Sequence, residues 1–140
     1  MLWETSSLMP WALFLLRVFV GVGIFLHGWP KLVHPQMGFL GGRGFAGFLG
    51  QMGFPAPGLM HLLAVLIEVV GGVLLILGVL TQVAAGLLFL EMLVAAYVSR
   101  WKLKQPYLCV DSKGVEIDLF YAAAALVLFV GGPGALALWP

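Results

Sequence analysis

The chain has 140 residues and a mass of 15.1 kDa, the size of one domain, yet 62% of it is hydrophobic and only 9% is charged. At a mean hydropathy of +1.08 there are too few polar side chains to cover a water-facing surface, so a soluble domain is excluded and a membrane protein is indicated. Seven Lys+Arg against six Asp+Glu leave +1, which gives no basic face for nucleic acid. One cysteine, Cys109, excludes an intramolecular disulfide, a CxxC redox pair and a Cys-rich metal site, so Cys109 is read as a free thiol and no metal is expected.

Crossing the hydrocarbon core takes about 20 mostly apolar residues. In chain order, stretches 9–28, 58–79, 82–99 and 117–138 qualify, and none alternates with the period of two that a barrel strand requires. The expected architecture is all-α, an integral membrane four-helix bundle forming a single domain over 1–140. Arg17 interrupts the first stretch and Glu4 precedes it, so it reads as a retained helix and not as a cleaved signal. The long first loop carries Phe45, Phe48, Leu49 and Met52 at i, i+3, i+4, i+7, which predicts a short helix lying in the interface. Its glycines at every third position from Gly38 to Gly53 weaken a helix and favour a flexible interfacial lid. A phosphate cradle at Gly41-Gly42-Arg43-Gly44 lacks the P-loop lysine and hydroxyl.

The second and third spans are joined by a tight turn at Leu80-Thr81, so they should be antiparallel neighbours. Trp3, Trp11, Trp29, Trp101 and Trp139 all fall at span ends, as in an aromatic belt. Lys31, Arg43, Arg100, Lys102, Lys104 and Lys113 all lie in the first and third loops, so the positive-inside rule puts those loops in the cytoplasm and both termini outside.

A charge at the bilayer centre costs roughly 2.5–3.5 kcal/mol on insertion scales. Arg17, Glu68 and Glu91 therefore need partners. At a rise of 1.5 Å per residue they lie about 16, 15 and 13 Å from the side of the first and third loops, one level on three helices. This predicts Arg17 paired with one or both glutamates, and one glutamate carrying a proton near pH 7. His27, Lys31, His61, Glu116 and Asp118 then sketch a polar route from water. A pair that only sets helix register is the alternative. Haem held by His27 and His61 is disfavoured because such pairs are usually deeper, and Glu116 with Asp118 also suits a plain helix start.

Arg17, then His27-Gly28 and Lys31, then Glu68 with Gly71-Gly72, then Leu77-Gly78-Val79-Leu80-Thr81, then Gly131-Gly132-Pro133-Gly134, in this order across nearly the whole chain, resemble the DoxX/DoxD-like membrane proteins. The resemblance implies a four-helix protein labelled an oxidoreductase, with relatives associated with a thiosulfate:quinone oxidoreductase or with oxidative-stress and quinone responses. Carried over by position, it marks Arg17, His27, Lys31, Glu68 and Glu116. The glycine-every-third first loop and the terminal Trp139 depart from the pattern.

The function expected from residues and resemblance together is a quinone-interacting oxidoreductase subunit of a prokaryotic cytoplasmic membrane. Arg17, Glu68 and Glu91 form the catalytic set, and His27, Lys31, His61, Glu116, Asp118 and Tyr121 surround the quinone. No covalently bound cofactor is expected. Electrons would come from a soluble redox partner or a small donor such as thiosulfate. The alternative is a noncatalytic scaffold that recruits soluble redox proteins through the basic third loop. A transporter is disfavoured by the lack of an internal repeat, although a homo-oligomer would supply more helices.

Overall fold

The computed structural model describes residues 5–108 and 114–139; Trp3, Cys109 and Lys113 lie outside them. All regular structure among the described residues is helical apart from one isolated bridge. We number the helices α1, Met9–Val33; α2, Gly44–Gln51; α3, Pro57–Leu77; α4, Thr81–Lys102; and α5, Val115–Gly131.

Three of them, α1, α3 and α4, are long and apolar enough to cross a membrane. Phe19, Phe120 and Val130 are more than 70% exposed while Arg17, His61, Glu68 and Asp118 are buried, an inside-out distribution that lipid tolerates and water does not.

Several boundaries differ from the expected ones. Helix α1 runs five residues past position 28, through Pro30, and closes with His34 N–H donating to the Pro30 carbonyl at 3.0 Å. Helix α5 stops at Gly131, seven residues early, because Gly132 and Gly134 take positive φ and Pro133 has no N–H with which to continue the ladder. The chain then turns back across the end of the molecule. Ala135 N–H donates to Pro10 O, and Leu138 and Trp139 N–H donate to Leu77 O and Gly78 O, tying residues 132–139 to the start of α1 and to the α3–α4 turn.

The helices associate as two pairs. Helix α1 lies antiparallel along α3, and α4 along α5. At the α1–α3 crossing a Cβ on Gly21 would come within 2.8 Å of Gly72 O, and one on Gly72 within 2.9 Å of Gly21 O, so neither position has room for a side chain. Val20, Ile24, Leu75, Leu88, Ala125 and Leu128 fill the core between the pairs. Helix α3 touches α4 through Gly71–Leu77 and the turn before it, while its Pro57–Val65 half stands away.

The first loop is held together by hydrogen bonds of its own main chain. Its expected helix is present as α2, but residues 34–43 form a hydrogen-bonded knot: Gly38 N–H donates to His34 O, Gly42 N–H to Pro35 O and Arg43 N–H to Gly38 O. A Cβ on Gly41 would lie 2.5 Å from the carbonyls of His34 and Pro35. The glycines here serve close packing of backbone on backbone, which periodicity alone does not separate from looseness.

Candidate functional site

Helix α3 changes pitch where it carries Glu68. Residues Leu66–Val70 form a π turn, a wider turn that recurs at functional sites, and Glu68 at its centre is fully buried. A side chain on Gly28 of α1 would meet the Glu68 Cβ at 2.5 Å, so glycine at 28 lets the carboxylate sit against α1. One turn further along α1, Lys31 Nζ donates to Glu68 Oε1 at 2.6 Å. His27, four residues before Lys31 and therefore on the same face, brings Nε2 to 3.8 Å from the same oxygen.

Lys31 is held from behind. Its carbonyl would ordinarily accept from the residue four positions on, but that is Pro35, which has no N–H. Phe39 N–H donates to it instead at 2.7 Å, and His61 Nε2–H at 2.8 Å. The His61 ring is packed edge-on by Phe39 and Phe45, and Lys31 Nζ stands 5.0 Å from the centre of the Phe45 ring. His61 therefore positions Lys31 and the aromatic roof without lining the space in front of them.

That space is a cavity of about 420 Å³ between α1, α2, α3 and α4, within the usual size of small-molecule sites. Phe45, Phe48 and Leu49 of α2 roof it, and Met60, Ile67 and Met92 are among its apolar walls. Its polar wall consists of His27, Lys31, Glu68, Glu91, Ser99 and Gln105. Among the described residues, Glu91 Oε2 and Gln105 Oε1 there are shielded from solvent and have no hydrogen-bond partner. Among the described residues no group of three or more His, Cys, Asp or Glu is arranged to hold a metal.

Arg17 is elsewhere. The sequence placed it level with the glutamates, but its Nη2 donates to Ala135 O and Leu136 O at 3.2 and 3.3 Å, and its guanidinium stands 5.5 Å from the Phe14 ring centre. A Cβ on Gly78 would fall on its Nη1. Gly78 is ten residues beyond Glu68, about 15 Å along the helix. The depth count assumed that position 28 is level with 58, whereas the structure puts Gly28 beside Glu68. The register is offset by ten residues, and the predicted Arg17–glutamate pair is replaced by an arginine clasp on the returning chain.

The remaining expected site residues are outside the cavity wall. Asp118 is buried and accepts from Ser99 Oγ at 2.9 Å, so it steadies the wall from α5. Glu116 lies at the start of α5 with its carboxylate against Gly114. Tyr121 directs its hydroxyl at Gly23 of α1 and borders a separate outer groove with Phe19 and Phe120. Sequence reasoning missed Ser99 and Gln105; nothing in their spacing marks them, because a π turn at Val98–Lys102 and the chain after it carry them to the cavity.

The DoxX family model matches residues 12–101. A Haemophilus influenzae protein named "Uncharacterized protein" is 34% identical over 92% of this chain and 89% of its own length. The Bacillus subtilis protein "Putative oxidoreductase CatD" is 33% identical over 90% of this chain and 83% of its own. "Inner membrane protein YphA" of Escherichia coli is 29% identical over 92% and 89%. No solved structure matches the chain.

Proposed function

This chain belongs to the DoxX family and is a multi-pass membrane protein, and from that premise we propose that it is a quinone-interacting oxidoreductase subunit whose site is the cavity under α2. The observation that carries the reading is the placement of Lys31, Glu68 and Glu91, from three helices, in the lining of one largely apolar 420 Å³ cavity. A quinone head group is an apolar ring with two carbonyl oxygens, and it calls for this combination of apolar walls, a cationic donor and proton carriers. One relative of similar length carries an oxidoreductase name.

Reduction of a quinone to a quinol consumes two electrons and two protons. Lys31 Nζ has N–H groups beyond the one given to Glu68, and one of them donates to a quinone carbonyl oxygen, favouring the negative charge that builds there. Glu91 and Glu68 deliver the protons and are refilled from the side of the first and third loops, past His27, whose side chain is 42% exposed. The electrons come from a donor outside the chain, either thiosulfate, two of which couple to tetrathionate as they release two electrons, or a soluble redox protein. Lys31, Arg43, Arg100, Lys102 and Lys104 cluster at this end, and the positive-inside rule then faces it to the cytoplasm.

The test is the quinone content of the purified protein by solvent extraction and mass spectrometry. Wild type should retain near-stoichiometric quinone, whereas Glu91→Gln and the cavity-filling Ala95→Phe should retain only the trace carried by annular lipid. The same trace in all three would end the assignment and turn attention to recruitment of soluble partners.

A further inference from the structure

The cavity is roofed by α2 at the loop end and has an apolar opening at its side. From the loop end it is covered by α2, with Leu49 buried and Phe45 and Phe48 half-buried beneath the roof. Toward the Arg17 end it narrows from Leu66–Val70 onward and stops where Gly71–Leu77 of α3 packs on α4, so that Ile67 marks the inner edge of the gap. Between these limits the two helices part. Leu63 and Ile67 of α3 face Leu87, Leu90 and Val94 of α4 across the gap, and all five line the cavity.

These residues are both lining and rim. Leu63, Leu87, Leu90 and Val94 are 41 to 59% exposed although they wall a cavity, so they border an opening. None is polar, and α3 and α4 are both of membrane-crossing length and composition. At this depth the opening meets hydrocarbon. A ligand passing through it would exchange one apolar surrounding for another until its polar end reached Glu91 and Lys31, whereas the route past α2 would require displacing a helix packed over the cavity.

We propose that the α3–α4 gap is a lateral portal, and that the ligand is a lipid-dissolved molecule whose aliphatic tail stays in the gap while its head group meets Lys31 and Glu91. This inference rests on the quinone reading and narrows it: the substrates are long-tailed membrane quinones, and a tail-less ring dissolved in water is a poor one. The head's direction follows from the chemistry of the lining, since Glu68, Glu91 and Ser99 are shielded from solvent while Leu63, Leu87, Leu90 and Val94 are exposed. Leu90, the most exposed of them, is the residue whose size controls passage.

The experiment uses the full chain in lipid nanodiscs and a ubiquinone analogue with a diazirine within the first few carbons of its tail. Labelling is located by peptide mass spectrometry, and specific labelling is defined as that removed by excess decylubiquinone. Competed label on the peptides bearing Leu63–Ile67 and Leu87–Val94 is the expected result. In Leu90→Trp the competed label should fall about tenfold, the equivalent of ~1.4 kcal/mol. Leu93→Trp, on the same helix but outside the cavity lining, should leave it unchanged. Competed label confined to α1 or α2 would overturn the portal while leaving quinone binding in place, as would unchanged label in Leu90→Trp. Absence of any competed label would overturn the quinone reading and the portal with it.

Discussion

Helix α1 carries two cations, Arg17 buried and Lys31 part-buried, and the two have opposite surroundings. Arg17 is directed at main-chain carbonyls of residues 135 and 136 and fills the space beside Gly78; Lys31, fourteen residues and about 21 Å along the helix, is directed at a carboxylate on the wall of a cavity. From sequence both are charges in a membrane helix and both suggest function. Their partners separate them. Arg17 neutralises the carbonyl ends of a chain that has left its helix, a structural task that glycine at 78 makes room for. Lys31 has donors to spare and open volume in front of it.

The comparison would be broken most severely by Lys31→Met. Leaving Glu68 buried without its cation should cost about 3–5 kcal/mol and lower the melting temperature in detergent, with loss of bound quinone. Adding Glu68→Met should restore most of the stability and none of the quinone; recovery of both would show that the pair only sets register. At the other end Gly78→Ala combines a positive φ of 67° with a collision on the guanidinium, and should cost about 2–4 kcal/mol. Its quinone content, measured in the surviving folded fraction, should match wild type. Arg17→Met should free residues 132–139, read out as new sites of limited proteolysis there, again without loss of quinone.

Smaller effects sharpen the contrast. Ser99→Ala removes one hydrogen bond to the buried Asp118 and should cost about 1.5 kcal/mol in thermal unfolding. Glu91→Gln removes no hydrogen-bond partner of Oε2 among the described residues and should change stability by no more than about 0.5 kcal/mol while abolishing quinone-linked turnover. A large destabilisation there would identify Glu91 as architectural.

Much of the helical frame was legible, for identifiable reasons. Continuous apolar runs separate spans from loops, and the spacing of Phe45, Phe48, Leu49 and Met52 is a helix period whatever surrounds it, so α2 was found. The ends of helices were less legible. Trp29-Pro30 reads as a terminator, yet proline in a last turn loses only one hydrogen bond, and α1 continues far enough to bring Lys31 to Glu68. That extension is also what offsets the register of α1 against α3 and defeats a depth count made helix by helix. Of the site, His27, Lys31, Glu68 and Glu91 share the cavity wall as charged or polar residues on helical faces can be expected to do. His61, Glu116, Asp118 and Tyr121 do not, because which neighbour a helix face meets depends on packing that a single sequence does not encode locally. The π turn at Glu68 has no periodic signature.

The knot of residues 132–139 over the α3–α4 turn has a mechanical consequence. With α1 locked to α3 at Gly21 and Gly72 and α4 packed along α5, the molecule is two stiff leaves, and the returning strand with its arginine pins them together at one end. Motion that preserves these contacts is a change of angle about that pin. The seam at Leu63 and Leu90 lies away from that pin, so a given change of angle there would alter its width more than the spacing beside Gly78.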